Sequence, residues 1–327
     1  MFSKILLFLG LFFQPSISTY DKPLQPPNNV GFFLINLLDA KNDQAPYLIN
    51  QMYMETNAIY YQNSFGNFSF AQSTIFGPYN VSGVKSNCDL LYSDWVTSVE
   101  TQAQKSGINL TNYPFRVFVL PSSAGCSWFG VGTLQCTYPQ ETSVSITNCR
   151  STIRYLDSDV LAHELGHNLG MNHASTSTSE YGDQSDPMSN IMGLSRIGFN
   201  GPHTYQMHWA NITSISKSGT YKVYALRLPP SIVPQIYTLS INGGPRDCVD
   251  EANQPYYISY RGPFGYDISL KTYQTGLSIH SYAGGANKTY LQKVMSTGNF
   301  WFAGNVMITQ TGISSDKTYV TFTVTFY

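Results

Sequence analysis

The residues best suited to chemistry lie in the segment HELGHNLGMNH, which spans residues 163–173. His163 and His167 are four residues apart, so on a helix their side chains share one face and can reach the same metal ion. Gly170 stands where a helix commonly ends in the left-handed conformation, after which His173 can return as a third ligand. Three neutral imidazoles and a water form the open tetrahedral site of a zinc hydrolase. The spacing therefore predicts one catalytic zinc ion.

Glu164 is the candidate catalytic residue of this site. Because its neighbour His163 would be fixed on the ion, its carboxylate would lie at the edge of the coordination sphere. Zinc lowers the pKa of a bound water towards about 7, so a carboxylate suffices as the general base and can then pass the proton to the leaving amine. The alternative is a core helix whose histidines are merely hydrogen-bonded. The extended pattern disfavours it, because that pattern holds three of the chain's six histidines.

A helix must position these side chains, and the local sequence predicts one. Asp157 or Ser158 can cap its start, and an apolar stripe at four-residue spacing follows, formed by Leu161, Leu165 and Leu169. At about 100° per residue, this stripe points roughly away from the two helical histidines. The leucines would therefore face a core while the histidines face a cleft.

A second motif follows in the segment EYGDQSDPMSNIMG, at residues 180–193. With the histidine motif it resembles the metzincin metallopeptidases, which carry a methionine-containing turn beneath the metal. More narrowly it resembles the gametolysin (autolysin) family, in which a Tyr-Gly-Asp-x-Ser-x-x-Met turn follows the third histidine. The matching residues are Tyr181, Gly182, Asp183, Ser185 and Met188. The resemblance implies that Met188 is the turn methionine. Met192 competes, because the family usually has glycine directly after this methionine.

The resemblance also implies an activity, which is zinc-dependent endopeptidase cleavage of extracellular-matrix or cell-wall proteins. It raises calcium as a second ion, for which Asp183, Asp186 and nearby carbonyl groups are candidates, although no segment has the spacing of a calcium-binding loop. In some metzincins a tyrosine stabilises the oxyanion. Tyr205 is the candidate for that role here, with ordinary packing as the default.

Residues 1–18 have the features of a signal peptide. Lys4 gives a basic start, residues 5–13 form an apolar run too short to span a bilayer, and small residues follow at 16–18. The C-terminal residues lack the hydrophobic tail of a lipid-anchor signal. We therefore expect a secreted, extracellular protein with no membrane anchor.

The cysteines and sequons agree with an oxidising compartment. With five cysteines we expect two disulfides and one leftover thiol, the bridges lying in the catalytic domain. These cysteines are Cys88, Cys126, Cys136, Cys149 and Cys248. The Asn-x-Ser/Thr sequons predict glycosylation at Asn67, Asn80, Asn109, Asn211 and Asn287.

The charge pattern limits the partners. The formal net charge is −1 and there is no basic run, so we expect no nucleic-acid partner. The partners predicted for this chain are protein or glycoprotein substrates in the extracellular matrix or cell wall. We expect the protein to be a monomer.

The order of elements predicts an α+β metzincin-like catalytic domain at 19–210, with a mixed sheet and the zinc helix. A buried strand is expected at 30–38, and helices are expected at 43–61 and 87–105. Further strands are expected at 68–76, as a strand or hairpin, and at 115–120. From residue 211 short alternating segments separated by Gly, Pro and Asn predict an all-β sandwich-like domain at 211–327.

Gly130 to Leu134 is the predicted substrate-binding edge. The resemblance implies that the strand ahead of the zinc helix is exposed and that the substrate lies along it as an added strand. A glycine-rich turn explains the same residues equally well.

Two other functions compete with the endopeptidase. A secreted adhesion or glycan-binding protein with a vestigial zinc site is the main alternative, but Glu164 argues against it because a structural zinc needs no such carboxylate. A zinc hydrolase of a non-peptide bond is compatible with the chemistry but not with the methionine-turn resemblance. We therefore predict a secreted zinc metalloendopeptidase.

Overall fold

A computed structural model describes residues 28–136, 149–190, 196–239 and 254–327. The predicted signal peptide, Met192 and Cys248 lie outside the described residues. Within them the chain is mixed α/β, with three β-sheets and few helices. No helix in this part of the chain is both long and apolar enough to cross a membrane.

The first sheet has five strands. They are β1 (Val30–Asn36), β2 (Ser73–Asn80), β3 (Phe115–Val119), β4 (Gly130–Gly132) and β5 (Cys149–Ile153). Their spatial order is β2-β1-β3-β5-β4, with β4 antiparallel to β5 and the other pairs parallel. Every residue of β1 and β3 is buried, as expected for central parallel strands covered on both faces.

Three helices cover this sheet. They are α1 (Pro46–Asn63), α2 (Cys88–Lys105) and α3 (Ser158–Asn168). Successive residues of β1 face opposite sides, so Phe32 joins the core with α1 and α3 while Phe33 joins the core with α2. The sheet therefore has a helical layer on each face, and α3 lies in the layer shared with α1.

The other two sheets are built mainly from the last third of the chain. In chain order the elements are β6 (Ala174–Ser175), α4 (Gly201–Gln206), β7 (Ile212–Ile215), β8 (Gly219–Tyr224), β9 (Ile236–Leu239), β10 (Tyr256–Arg261), β11 (Gly276–Tyr282), β12 (Thr289–Met295), β13 (Phe300–Ala303), β14 (Val306–Ile313) and β15 (Tyr319–Phe326). Short 3₁₀ turns occur at Lys85–Asn87, Leu110–Asn112, Gly265–Ser269 and Thr272–Gln274.

One sheet has the order β6-β12-β11-β10-β9-β7 and the other has the order β13-β14-β15-β8. A single apolar core joins them, because Ile258 and Ile279 of the first pack in one cluster with Ile308 and Phe322 of the second. The domain limits at 210 and 211 and the sandwich assignment stay predictions.

The short strand β6 links the early and late parts of the chain. It begins directly after His173. It pairs in parallel with β12, and Ala174 lies opposite Thr289 in this pair. The sheet formed by the later strands thus begins beside a candidate metal ligand.

Two disulfides are present among the described residues, as predicted. Cys88 is bonded to Cys126, and Cys136 is bonded to Cys149 at the start of β5. Both bridges lie in the part of the chain that forms the first sheet. The backbone N–H of Cys136 also donates to the carbonyl of Asn168 at the end of α3, at 3.0 Å. The second disulfide therefore anchors the segment after β4 beside the histidine helix.

A group of charged and titratable side chains is buried between residues 183–203 and the later strands. We call it the buried ionic cluster, and its fully buried members are Asp183, Asp186, His203, Arg261, Asp267 and His280.

Arg261 is the centre of this cluster. Its Nε and one terminal nitrogen donate to the two carboxylate oxygens of Asp267 at 2.7 and 2.8 Å. The same terminal nitrogen donates to the carbonyls of Ser185 and Gly198 at 2.9 and 2.7 Å. Arg261 of β10 thereby holds the loop that follows the histidines.

We expect Arg261→Met to lower the free energy of unfolding by roughly 3–5 kcal/mol, because the buried Asp267 would lose both hydrogen bonds from its cation and keep only Arg227, whose Nε lies 3.8 Å away. Urea unfolding would measure the change. The matched control is Arg196→Met, since Arg196 is 44% exposed in its pair with Glu55 and such pairs contribute about 0–1 kcal/mol. Equal losses in the two variants would show that the cluster does not support the fold.

Candidate metal centre

The helix α3 starts and packs as the sequence predicts. The carboxylate of Asp157 accepts hydrogen bonds from the backbone N–H groups of Asp159 and Val160, at 2.8 and 3.3 Å. Leu161 and Leu165 are fully buried in the core under the sheet. The opposite face of α3 therefore presents the first two histidines.

The end of α3 turns the chain back towards the same face. Gly170 has φ +93°, a conformation that costs a residue without Cβ little, and the N–H of Met171 donates to the carbonyl of Gly166 at 2.9 Å. This tight reversal brings His173 beside the histidines of the helix.

The structure brings all three candidate ligands together. One ring nitrogen from each of His163, His167 and His173 lies within 4.8 Å of the others. The Nε2 atoms of His167 and His173 are 3.2 Å apart. Two nitrogens bound to one zinc at 2.0–2.1 Å in tetrahedral geometry are about 3.4 Å apart. The spacing of this pair is therefore close to that of two ligands on one ion.

The Nδ1 atoms are already engaged elsewhere. His163 Nδ1 lies 3.0 Å from the carbonyl oxygen of Pro187, and His167 Nδ1 lies 2.9 Å from that of Met171. Because a carbonyl can only accept, each Nδ1 carries the hydrogen and each Nε2 carries the lone pair. This is the usual arrangement of a metal-binding histidine, whose other nitrogen donates to an oxygen.

The histidine at the reversal is oriented in the same way by a side chain. His173 Nδ1 lies 2.7 Å from Oε1 of Glu180, and the same oxygen lies 2.8 Å from Nζ of Lys288. All three imidazoles therefore have their Nδ1 atoms directed at oxygens.

The surroundings also keep the imidazoles neutral. Burial lowers the pKa of His163 to about 3, helped by the neighbouring His167. Burial likewise lowers the pKa of His167 to about 4, and it lowers the pKa of His173. Neutral imidazole nitrogens are suitable ligands for zinc, so this group of donors fits that ion.

Glu164 is buried beside the histidines with an unused oxygen. It is 5% exposed, and among the described residues no hydrogen-bond partner faces its Oε2. Burial raises the pKa of Glu164 to about 8. The carboxyl group is therefore free to exchange a proton with a bound molecule.

The strand β4 lies directly against this carboxyl group. A Cβ atom at Gly130 would stand 2.6 Å from Oε1 of Glu164, and one at Gly132 would stand 2.6 Å from its carbonyl oxygen. Only glycine allows so close an approach. The predicted edge segment is thus a strand at the sheet edge, shorter than the predicted range because it ends at Gly132.

Met188 lies under the helix on its other side. It is fully buried, and a Cβ atom at Gly166 would stand 2.4 Å from its sulfur. Its backbone N–H donates to the carboxylate of Asp186 at 2.7 Å, and its carbonyl accepts from the N–H of Ala174 at 2.9 Å. The loop that carries Met188 is therefore fixed both to the ionic cluster and to β6.

A tyrosine other than the predicted one lies next to the histidines. The ring of Tyr181 is 4.2 Å from that of His173, and the side chain is 37% exposed. Tyr205 instead packs beside Tyr257, with 5.8 Å between the ring centroids. Packing is thus the observed role of Tyr205, and the motif residue Tyr181 is the phenol at the site.

The candidate calcium carboxylates already have protein partners. Asp183 accepts from Ser185, Asn200 and His280, at 2.6, 3.2 and 3.0 Å. Asp186 is engaged by backbone N–H groups and by His203 at 2.9 Å. These contacts give no support to a calcium site at the two aspartates.

The sequon asparagines are all exposed, as a glycan attachment site must be. They are Asn67, Asn80, Asn109, Asn211 and Asn287.

Comparison with known families decides the classification. The model of the family described as Gametolysin peptidase M11 matches residues 46–311, which is most of the chain. The chain belongs to this family. The resemblance to the gametolysin family, stated from the sequence motifs, is therefore confirmed. Membership of the gametolysin peptidase family classes the chain as a metallopeptidase.

One curated relative is the autolysin of Chlamydomonas reinhardtii. It is 27% identical in an alignment of 203 residues that covers 51% of this chain and 31% of the relative. The chain thus matches less than a third of that protein's length. Among solved structures, metalloproteinase-II from Bacteroides fragilis is similar to 59% of this chain and 54% of its own, at 15% identity and a TM-score of 0.33.

The contact between Gly166 and Met188 can be tested by overpacking. We expect Gly166→Ala to lower the free energy of unfolding by roughly 1–3 kcal/mol, because the new methyl group would collide with the sulfur. In a Met188→Ala background the same change should raise it by up to about 1 kcal/mol, since alanine is the better helix former. Urea unfolding of the four proteins would measure both effects. An equal effect of Gly166→Ala in both backgrounds would contradict the contact.

The burial of Glu164 makes the stability of the metal-free protein depend on pH. The folded carboxyl group keeps its proton up to pH about 8, whereas the unfolded one releases it near 4.5. The unfolded state therefore gains stability as the pH rises from 4.5 to 8. Glu164→Gln removes this titration, so at pH 7 we expect the variant to be more stable than the parent by on the order of 2–3 kcal/mol.

Urea unfolding of chelator-treated protein between pH 4.5 and 8 would measure this difference, which should fade towards pH 4.5. Glu55→Gln is the control, because a hydrogen bond from Gln51 lowers the pKa of Glu55 and the change should therefore not stabilise. A difference that is independent of pH would contradict the assigned titration.

Proposed function

We propose that this protein is a secreted, zinc-dependent endopeptidase of the metzincin class that hydrolyses peptide bonds in extracellular proteins. The observation that carries the proposal is the convergence of three imidazoles whose Nδ1 atoms all face oxygens. One ring nitrogen from each lies within 4.8 Å of the others, and in the part of the chain that the structure describes Oε2 of the neighbouring Glu164 has no hydrogen-bond partner. Membership of a metallopeptidase family supports the same conclusion.

In this proposal His163, His167 and His173 hold the zinc ion. When bound, zinc supplies a Lewis acid that polarises the scissile carbonyl group and makes a water nucleophilic near neutral pH. The low pKa values of His163 and His167 support this role, because neither residue takes up a proton in competition with the ion above pH about 5.

Glu164 is the proposed general base and acid. Its Oε2 accepts a proton from the attacking water as the water oxygen bonds to the carbonyl carbon. The same carboxyl group then gives this proton to the amine nitrogen as the C–N bond breaks. Burial supports the role, because a carboxyl group that holds its proton more tightly than usual is a stronger base. A cation bound by the three histidines would lower this pKa again, so that the carboxyl group would be ionised near neutral pH and able to accept the proton of the water.

The strand β4 is the proposed binding edge for the substrate. Among the described residues its only strand partner is β5, so its other side can pair with an extended peptide. Gly130 and Gly132 bring this edge against Glu164, so a peptide paired with β4 would pass the carboxyl group. Backbone pairing of this kind recognises an extended chain rather than particular side chains.

Met188 is the proposed floor of the site. Its fully buried side chain packs against Gly166, which stands between the two helical histidines in the sequence. The role proposed for Met188 is to fix the position of the helical face that carries His163 and His167, and it takes no part in the chemistry.

Extracellular matrix or cell-wall proteins are the proposed substrates, cleaved by a secreted, glycosylated monomer. The two disulfides and the exposed sequon asparagines support a secreted protein. The predicted signal peptide at 1–18 belongs to the same proposal.

We expect Glu164→Gln to lower kcat for casein or gelatin by about 10²–10⁴-fold while the protein still binds one zinc ion, because only the proton transfer is lost. A zinc chelator should abolish the activity of the parent protein. Peptide release and zinc content would be measured on the same samples.

The control for charge is Glu55→Gln, which should keep full activity because this residue pairs with Arg196 on the surface. Zinc binding without cleavage of any protein by the parent would overturn the peptidase proposal and favour an adhesion or glycan-binding protein. Activity that survives chelation would overturn the role of zinc.

A further inference from the structure

The third candidate ligand differs from the other two in what holds it. His163 and His167 are oriented by backbone carbonyls of nearby residues, at positions 187 and 171. His173 is oriented by a side chain, Glu180, at 2.7 Å. The position of His173 therefore depends on what fixes that carboxylate.

A cation from the later part of the chain fixes it. Nζ of Lys288 lies 2.8 Å from Oε1 of Glu180, the same oxygen that faces Nδ1 of His173. Lys288 immediately precedes β12. One carboxylate oxygen is thus shared between the imidazole of a candidate ligand and an ammonium group from a distant segment.

Backbone hydrogen bonds join the same two segments of the chain. The carbonyl of His173 accepts a hydrogen bond from the N–H of Thr289 at 3.1 Å, and Ala174 pairs with Thr289 across β6 and β12. The side-chain amide of Asn172 donates to the carbonyl of Ala286 at 3.0 Å. Residues 286–289 therefore contact the segment around His173 through both backbone and side chains.

We propose that Glu180 and Lys288 are positioning residues of the metal centre, so that the later strands complete it. This inference rests on the zinc site proposed above. Glu180 fixes the ring orientation of His173 and raises the basicity of its Nε2, which is the known effect of a carboxylate on a metal-binding histidine. Lys288 acts through Glu180, because it holds the shared oxygen in place.

A role in stability alone explains these residues poorly. The side chains of Glu180 and Lys288 are 49% and 34% exposed. Ion pairs that exposed contribute about 0–1 kcal/mol to folding. The two residues fix the orientation of His173, the one candidate ligand that is not part of α3. Their effect should therefore be measured as zinc affinity.

The test is the dissociation constant of zinc, determined by competition with a chromogenic chelator. We expect Glu180→Ala to weaken binding by about 10–100-fold. Lys288→Met should weaken it less, and the double variant should match Glu180→Ala, because the lysine acts through the carboxylate. Glu180→Gln should restore part of the affinity, since its amide oxygen can still accept from Nδ1. Lys293→Met is the matched control, since Lys293 is an exposed lysine on β12, the strand that Lys288 precedes, and this change should leave affinity unchanged.

Urea unfolding of each metal-free variant would separate a local effect from loss of the fold. If Lys288→Met binds zinc as Lys293→Met does, or if the two changes add fully, Lys288 does not act through Glu180 and the inference is wrong. If the parent protein binds no zinc, the proposed function fails as well. If the parent binds zinc and every variant binds it equally, only the present inference fails.

Discussion

The burial of three carboxylates is the constraint on which this structure depends. Asp183, Asp186 and Asp267 have no exposed surface, and a charge removed from water in this way is tolerated only beside a partner. Arg261 from β10 and His280 from β11 supply such partners, so the loop after the histidines is held against those strands. The cluster thereby sets the path of the loop that carries Met188 and contacts β6. A buried network of this kind adds little net stability, but it defines one arrangement of the chain.

The histidine helix is held between two close contacts. On one side β4 reaches it through glycines, and on the other the sulfur of Met188 reaches it through Gly166. A Cβ atom at any of these three glycines would collide with its neighbour, so both contacts require glycine. The catalytic carboxyl group proposed here, Glu164, is therefore packed against the backbone of β4. Among the described residues, its Oε2 has no hydrogen-bond partner and can bind a water or a substrate group.

The parts of the site that lie close together in the sequence could be predicted, and the distant parts could not. The cap at Asp157, the leucine stripe and the reversal at Gly170 follow from helical periodicity, so α3 and the meeting of its histidines with His173 were predictable. Lys288 and Arg261 leave no such signal, because the residues they support lie far from them in the chain. The strand expected at 68–76 begins only at Ser73. Phe68 and Phe70 suggested a strand, but they pack edge-on against Tyr60 in an aromatic cluster.

The pairing of the two-residue strand β6 with β12 has a consequence for biosynthesis. The contact between Asn172 and Ala286 spans 114 residues, so a chain still being made contains the histidine helix long before it contains the strand beside His173. Contacts of such separation form late, because the intervening loop must first be closed. A nascent chain thus carries its histidines and Glu164 through much of its synthesis without the segment that braces the third imidazole. Assembly of the proposed metal centre is in this way coupled to the synthesis of residues 286–289.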